Sequence, residues 1–147
     1  MFTGIVQSVA KVVGLQDRPG LRSFALEFAE VGFAQGLQIG ASVAVDGVCL
    51  TATQLMGPHA ASFDVMQQSL QLTTLGSLTN GARVNVERAA KADAEVGGHP
   101  LSGHIDVQGQ LLEVRKPDNN CVLRIGVAAP LHACEHYYVL FEGVEGI

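Results

Sequence analysis

Two histidines sit five residues apart in the stretch VGGHPLSGHID, residues 96–106, in a chain with only five histidines among 147 residues. His99 is followed by Pro100, and His104 stands between Gly103 and Ile105. A neutral imidazole titrates near physiological pH, so either ring could take or relay a proton. As metal ligands they lack a third and fourth donor at suitable spacing, so a zinc site is not expected. A second reactive side chain is Cys49 in GVCLT. Its thiol can add reversibly to an electrophilic carbon or pack as a small apolar group. Thr51, two residues on, falls on the same face of an extended strand and brings a hydroxyl; Ser42 belongs to the same stretch.

Positioning these groups requires strands. LRSFALEF alternates Leu21, Ser23 and Ala25 against Phe24, Leu26 and Phe28, the period of a half-buried strand. The segment GIVQSVAKVVGL from Gly4 is strand-like up to a turn at residues 16–20, QDRPG. Asp46-Gly47 lies between β-branched runs and signals a two-residue hairpin, because both residues tolerate positive φ. ASFDVMQQSLQLTTLG opens as a strand and is expected to pass into a short helix over residues 67–72. GARVNVERA alternates Val84 and Val86 against Arg83, Asn85 and Glu87. Residues 29–40, broken by glycines, hold at most a turn or brief helix. Short strands with frequent turn signals read as all-β, a small barrel or sandwich.

Composition narrows the function. Charged residues are only 16% of the chain and the formal net charge is −5, so a nucleic-acid partner, which calls for a basic patch, is excluded. A surface so poor in charge points to burial against another subunit. No apolar run approaches the ~20 residues of a membrane span, and MFTGIVQSVAKVVGL lacks the layout of a secretory signal. Cys49, Cys121 and Cys134 are odd in number and widely spaced, fitting neither a disulfide framework nor a zinc ribbon. The expected setting is a reducing cytoplasm.

The chain also starts over. Residues 3–13, TGIVQSVAKVV, lie on residues 102–112, SGHIDVQGQLL, at a constant offset of 99, matching Gly4 to Gly103 and Val12-Val13 to Leu111-Leu112. Phe24 and Leu26 then fall on Leu123 and Ile125, and with slight slippage Gly40 corresponds to Gly143. The expectation is a complete barrel over residues 1–96, a linker around residues 89–98, and an incomplete second barrel over residues 97–147. Strands missing from that barrel would leave open edges, so the chain is read as a fragment, or as completed by a neighbour.

Six blocks carry a resemblance: MFTGIV, GASVAVDGVCLT, FDVM, TTLG, GARVNVERA and GGHPLSGHID occur in the order seen in riboflavin synthase. The resemblance implies two similar six-stranded Greek-key β-barrels per chain and a transferase reaction. Two molecules of 6,7-dimethyl-8-ribityllumazine exchange a four-carbon unit to give riboflavin and a ribitylamino-pyrimidinedione, with no cofactor. It also implies a homo-oligomer, a trimer when the chain is full length, with a dimer as the alternative for a shorter one. The active site would form where the barrels of two subunits face each other. The C7 methyl of the lumazine is acidic because its carbanion delocalises into the ring system, so a modest base and two stacked rings suffice.

The family's site residues carry over onto this sequence as follows. His104 and Cys49 are the catalytic candidates. Substrate contacts fall on Gly4, Ile5 and Val6; on Cys49, Leu50 and Thr51; on Asp64, Val65, Met66, Gln67, Gln68 and Ser69; and on Gly103, His104 and Ile105. Phe2 would pack on the ligand or cover the barrel mouth, and His99 serves as ligand contact or as support for its turn. His59, His132 and His136 fall outside the motifs and are read as solvated. The chain departs from the family pattern at Gln68-Ser69, more often Glu-Thr, at Pro100, usually aliphatic, and at Glu142, where a lysine is expected. The alternative function is a non-catalytic lumazine- or flavin-binding module.

Overall fold

A computed structural model of the chain describes residues 1–91, 95 and 97–127. The readings made at His132, Cys134, His136, Glu142 and Gly143 lie outside the described residues.

Among the described residues eight strands, one short α-helix and one 3-10 turn follow in the order β1 (Ser8–Arg18), β2 (Leu21–Phe28), β3 (Ser42–Val45), β4 (Val48–Leu55), β5 (Ala60–Met66), α1 (Gln67–Leu72), the 3-10 turn Thr74–Ser77, β6 (Arg83–Arg88), β7 (Gly109–Arg115) and β8 (Val122–Val127). The first six strands close into an antiparallel barrel in the order β1-β2-β5-β4-β3-β6, while β7 and β8 form a separate two-stranded sheet. The chain leaves β2, crosses to β3, and returns through β4 so that β5 pairs with β2. That is a Greek-key path. Among the described residues no helix is long and apolar enough to cross a membrane.

Local chemistry fixes the corners. Asp46 (φ 45) and Gly47 (φ 81) both take positive φ and join β3 to β4 through two residues, the geometry whose twist matches antiparallel strands. Burial at Asp46 is nearly complete, and its Oδ1 accepts the Asn85 N–H at 2.6 Å. Burial pushes its carboxyl above the usual range, and the bond from Asn85 only partly offsets this. The β1–β2 turn is tighter than the sequence suggests: Asp17 pairs with Arg22 and Arg18 with Leu21, leaving only Pro19-Gly20 to turn the chain.

Alternation fills the barrel with Val12, Phe24, Leu26, Val43, Val45, Phe63, Val65, Val84 and Val86, all buried. Phe24 and Phe63 are direct cross-strand partners with ring centroids 6.2 Å apart. Fully burying side chains of this size contributes about 1.5–3 kcal/mol each. Leu75, with no exposed surface, projects into the same core from the 3-10 turn. Arg22 holds that turn from below, Nη1 donating to the carbonyls of Leu75 (3.0 Å), Gly76 (2.7 Å) and Leu78 (3.3 Å). The same guanidinium hydrogen-bonds Asp17 and keeps its carboxyl below the ordinary range.

The internal repeat appears in strand register. Ala10↔Phe28, Lys11↔Glu27 and Val12↔Leu26 of the β1–β2 hairpin become Gly109↔Val127, Gln110↔Gly126 and Leu111↔Ile125 of the β7–β8 hairpin, each shifted by 99. A register shift follows in both hairpins, after Val13 and after Leu111. Gly4 (φ 79) and Gly103 (φ 77) share a left-handed backbone at the same offset.

Candidate functional site

The expected strand from Gly4 does not form. Pairing of β1 begins at Ser8, and residues 3–6 run as a separate segment. A carboxylate on β6, the strand that pairs with the start of β1, holds this segment instead. Glu87 Oε1 accepts the Thr3 N–H at 2.6 Å and the Thr3 hydroxyl at 2.7 Å, and Oε2 accepts the Gly4 N–H at 3.1 Å. Ile5 and Val6 stand about half exposed beyond this anchor.

The start of the second repeat packs on the start of the first. Phe2 N–H donates to the Leu101 carbonyl at 2.8 Å, and Leu101 N–H donates back at 2.9 Å. Phe2 and Leu101 are themselves 99 residues apart, so equivalent positions of the two repeats pair with each other. His99 N–H extends the ladder to the Thr3 carbonyl at 3.0 Å. Gly103 then lies flat on the barrel: its carbonyl accepts the Cys49 N–H at 2.8 Å. A Cβ at Gly103 would meet Cys49 Cβ at 2.8 Å, Cys49 N at 3.0 Å and Phe2 Cε2 at 3.1 Å. Only glycine fits there.

From Gly103 the segment runs on toward α1. Ile105 packs partly buried against the barrel core, and Gln108 Nε2 donates to the last helix carbonyls, Leu72 at 2.9 Å and Gln71 at 3.3 Å. Residues 103–108 therefore cross from Cys49 on β4 to the end of α1. His104 is exposed on this crossing, its N–H donating to the Ser102 hydroxyl at 3.1 Å.

Beneath the crossing the barrel wall opens. The β4–β5 ladder runs from Leu55↔Ala61 to Ala52↔Phe63 and ends, although β4 extends back to Val48 and β5 on to Met66. The register shift at Thr53 sets this up, since an extra residue bends a strand and increases its twist away from its partner. Cys49 and Thr51 face outward on β4, as do Asp64 and Met66 on β5, in alternation with buried Leu50, Ala52, Phe63 and Val65. The result is a slot whose walls carry polar main chain, a thiol, a hydroxyl and a carboxylate. Asp64 is steadied by the Ser23 hydroxyl, which donates at 2.6 Å. Ser42 pairs with Thr51 from β3. Helix α1 starts at once after Met66, bringing Gln67, Gln68 and Ser69 to the rim; the Gln67 N–H donates to the Gly20 carbonyl at 3.0 Å, and the Thr73 hydroxyl closes the helix by donating to the Ser69 carbonyl at 2.6 Å.

The structure thus places Cys49 and Thr51 on the outer face of β4, Asp64 and Met66 on that of β5, residues 67–69 in the helix that follows, and residues 103–105 on the segment that starts at Cys49. Leu50 and Val65 point into the core, so only their main chain is available to a ligand. Gly4 and Val6 line a cavity of about 170 Å³ between the N-terminal segment and the β3–β6 wall, which Phe2, Glu87 and Gly103 also line. That volume is below the ~300–1,000 Å³ of a typical small-molecule pocket, so the cavity alone is too small for a bicyclic ring with a sugar-like chain. Among the described residues no three His, Cys, Asp or Glu side chains gather as metal donors, and Cys49 and Cys121 are free thiols.

Alternation marks neither of two residues here, Glu87 and Phe2, although Phe2 is already expected to pack on the ligand or cover the barrel mouth. Glu87 shares a face with Arg83 and Asn85 in sequence, yet it is only 6% exposed because the N-terminal segment covers it. Phe2 is 2% exposed and wedged between Leu101 and Gly103. No local signal marks either, because their cover comes from residues 83 to 101 positions away in the chain.

Comparison with known proteins gives a consistent family. The lumazine binding domain matches residues 3–89. Riboflavin synthase of Escherichia coli (strain K12) is 42% identical over 147 residues, covering all of this chain and 68% of that protein. Riboflavin synthase of Buchnera aphidicola subsp. Schizaphis graminum is 39% identical, covering all of this chain and 70% of that protein. Among solved structures, LumP complexed with 6,7-dimethyl-8-(1'-D-ribityl) lumazine superposes with a TM-score of 0.70 at 22% identity, over 85% of this chain and 68% of that one. LumP complexed with riboflavin gives the same TM-score, over 85% of this chain and 66% of that one.

Proposed function

Because the chain belongs to the riboflavin synthase family of lumazine-binding proteins, we propose that its first barrel binds 6,7-dimethyl-8-ribityllumazine in the slot between β4 and β5. We propose further that the protein takes part in the dismutation that yields riboflavin. The observation that carries this reading is the ladder that ends at Ala52↔Phe63 while both strands continue. Apart from the Cys49 N–H, which Gly103 takes, the strand edges past that point offer donors and acceptors in one plane, which suits the heteroatom edge of a flat ring in the way a strand edge suits an added strand.

The residues then take roles by position. Main chain at Cys49–Thr51 and Asp64–Met66 reads the ring edge, and the Thr51 hydroxyl and residues 67–69 meet its polar substituents. Cys49, held under Gly103, packs against the ring plane. His104 is the proton carrier for the C7 methyl: it is exposed on the segment that crosses the slot and is the only histidine in that crossing. One lumazine loses its four-carbon unit to the other, so turnover needs a second ring stacked on the first. The second repeat or a neighbouring subunit supplies it, in a cytoplasmic homo-oligomer. Holding two rings face to face contributes most of the rate, with one positioned base adding about 10²–10⁴-fold.

A second reading, a lumazine- or flavin-binding module without turnover, draws on the fact that only one closed barrel lies among the described residues. One experiment separates the two. The chain is titrated into riboflavin while flavin fluorescence is followed, and is then incubated with the lumazine under assay for riboflavin. Quenching with product formation supports the synthase. Quenching without product leaves the binding module, and no quenching refutes both.

A further inference from the structure

Among the described residues the buried acids are Asp46 and Glu87. Asp46 belongs to the β3–β4 turn, and its burial follows from that turn. Glu87 has no such local reason. It lies on the barrel's outer face, opposite Ala44 on β3, and no Lys, Arg or His of the described residues pairs with it. An ionised carboxylate taken out of water without a counter-charge must find several strong donors.

All three of its donors come from two consecutive residues. The main-chain N–H groups of Thr3 and Gly4 converge on its two oxygens, and the Thr3 hydroxyl joins the first. Convergence of successive amides needs a backbone that alternates handedness, which Gly4 supplies at φ 79. The Thr3 hydroxyl is fixed in direction as well, since it donates to Glu87 and accepts the Ile5 N–H at 3.2 Å. This arrangement pins the main chain of residues 3–5. On one side of the pin Phe2 is set against Gly103 at the mouth of the slot; on the other, Ile5 and Val6 are turned outward with their apolar surface exposed.

We infer that Glu87 is a positioning residue of the ligand site, latching Thr3 and Gly4 so that Phe2 and Ile5-Val6 stand as preset apolar walls for the bound ring. The inference rests on the proposed lumazine- and flavin-binding role of this barrel. Glu87 acts here through the main chain it holds. Glutamine cannot take its place, because an amide presents one acceptor and one donor where three donors converge.

The test uses the full chain with riboflavin as probe. Glu87→Gln weakens riboflavin binding about tenfold or more, consistent with the loss of charge-assisted hydrogen bonds. Thr3→Val, which removes one donor and leaves the barrel intact, weakens it about three- to tenfold. The double variant binds no worse than Glu87→Gln alone, because both substitutions release the same latch. In amide NMR spectra of Glu87→Gln the Thr3 and Gly4 signals move upfield and exchange faster, while those of Ala44 and Val86 keep their protection. Additive losses in the double variant overturn the inference, and so does undiminished affinity in both single variants. If Glu87→Gln does not fold, unchanged binding by Thr3→Val is enough to overturn it. A wild-type chain that does not bind riboflavin refutes the proposed function instead, and with it the ligand this latch would serve.

Discussion

Replacing Gly103 by alanine tests the contact that joins the second repeat to the first barrel. Gly103 has φ 77, and a left-handed backbone costs an alanine about 1–2 kcal/mol. The added Cβ also meets Cys49 Cβ at 2.8 Å and Cys49 N at 3.0 Å. Neither atom is the end of a flexible side chain, so relief requires the segment to lift off β4, at an overpacking cost of about 1–3 kcal/mol. Lifting would break the 2.8 Å bond from the Cys49 N–H. The total is about 2–5 kcal/mol. Two controls separate strain from clash. Gly14 has φ 66 with nothing within 4 Å of its Cβ position, so Gly14→Ala carries the backbone cost alone. Gly4 has φ 79 and meets only Leu101 Cδ1 at 2.9 Å, a side-chain end that can swing away, so Gly4→Ala falls close to Gly14→Ala. Urea denaturation of the three variants gives the ranking, and riboflavin fluorescence titration gives its consequence. Gly103→Ala loses affinity because the crossing segment shifts, while Gly14→Ala keeps it. Equal stabilities for Gly103→Ala and Gly14→Ala would refute the close packing of this segment on Cys49.

Two further predictions concern the barrel itself. Phe63→Ala removes a side chain with no exposed surface and its cross-strand partnership with Phe24, and should cost about 3–5 kcal/mol in urea denaturation; a loss under about 1 kcal/mol would contradict the core described here. Asp46→Asn keeps an acceptor for the Asn85 N–H and tolerates φ 45, but it removes a carboxyl whose value burial raises above 3.8. The folded state holds that proton more tightly, so the stability contribution is full below pH 3.8 and is lost as pH rises through the raised value. Urea midpoints at pH 4 and pH 7 should therefore show the asparagine variant gaining on the wild type toward neutral pH, and a gain only at pH 4 would reverse the assigned sign.

What could be read from the sequence was the part fixed by near neighbours. Asp46-Gly47 announces its hairpin because both residues accept positive φ, and residues 67–72 form the expected helix just where strand alternation ends. The repeat was visible because apolar phase survives divergence, and the matching registers of the two hairpins bear it out. The failures share one physical cause. Gly4–Val6 looked like the start of β1, since alternation cannot register a carboxylate 83 or 84 residues away that captures its amides. Glu87 looked solvent-facing for the complementary reason. The opening between β4 and β5 depends on one extra residue at Thr53, which is an ordinary strand residue in sequence. Cys49 and His104 were joined only by the family resemblance; the structure supplies the physical link, Gly103 lying on Cys49.

The repeat makes the chemistry at His104 intelligible. Gly4 and Gly103 share the same left-handed backbone, and each precedes the side chain that leaves the turn. In the first repeat that side chain is Ile5; in the second it is His104. The same left-handed turn therefore presents an apolar group in one copy and an imidazole in the other. The supports have diverged in step. The first copy is held by Glu87, which demands amide donors and leaves Ile5 free to act as surface, whereas Gly103 offers its carbonyl to Cys49 and the His104 N–H turns back to Ser102. An imidazole at position 5 would follow directly on the two residues that Glu87 holds, and an ion pair with that carboxylate would compete with the Thr3–Gly4 latch. The turn at Gly103 is held instead by a neutral donor, the Cys49 N–H. On this argument the asymmetry between the repeats divides the labour of the proposed site: one turn holds a ring and the other handles a proton.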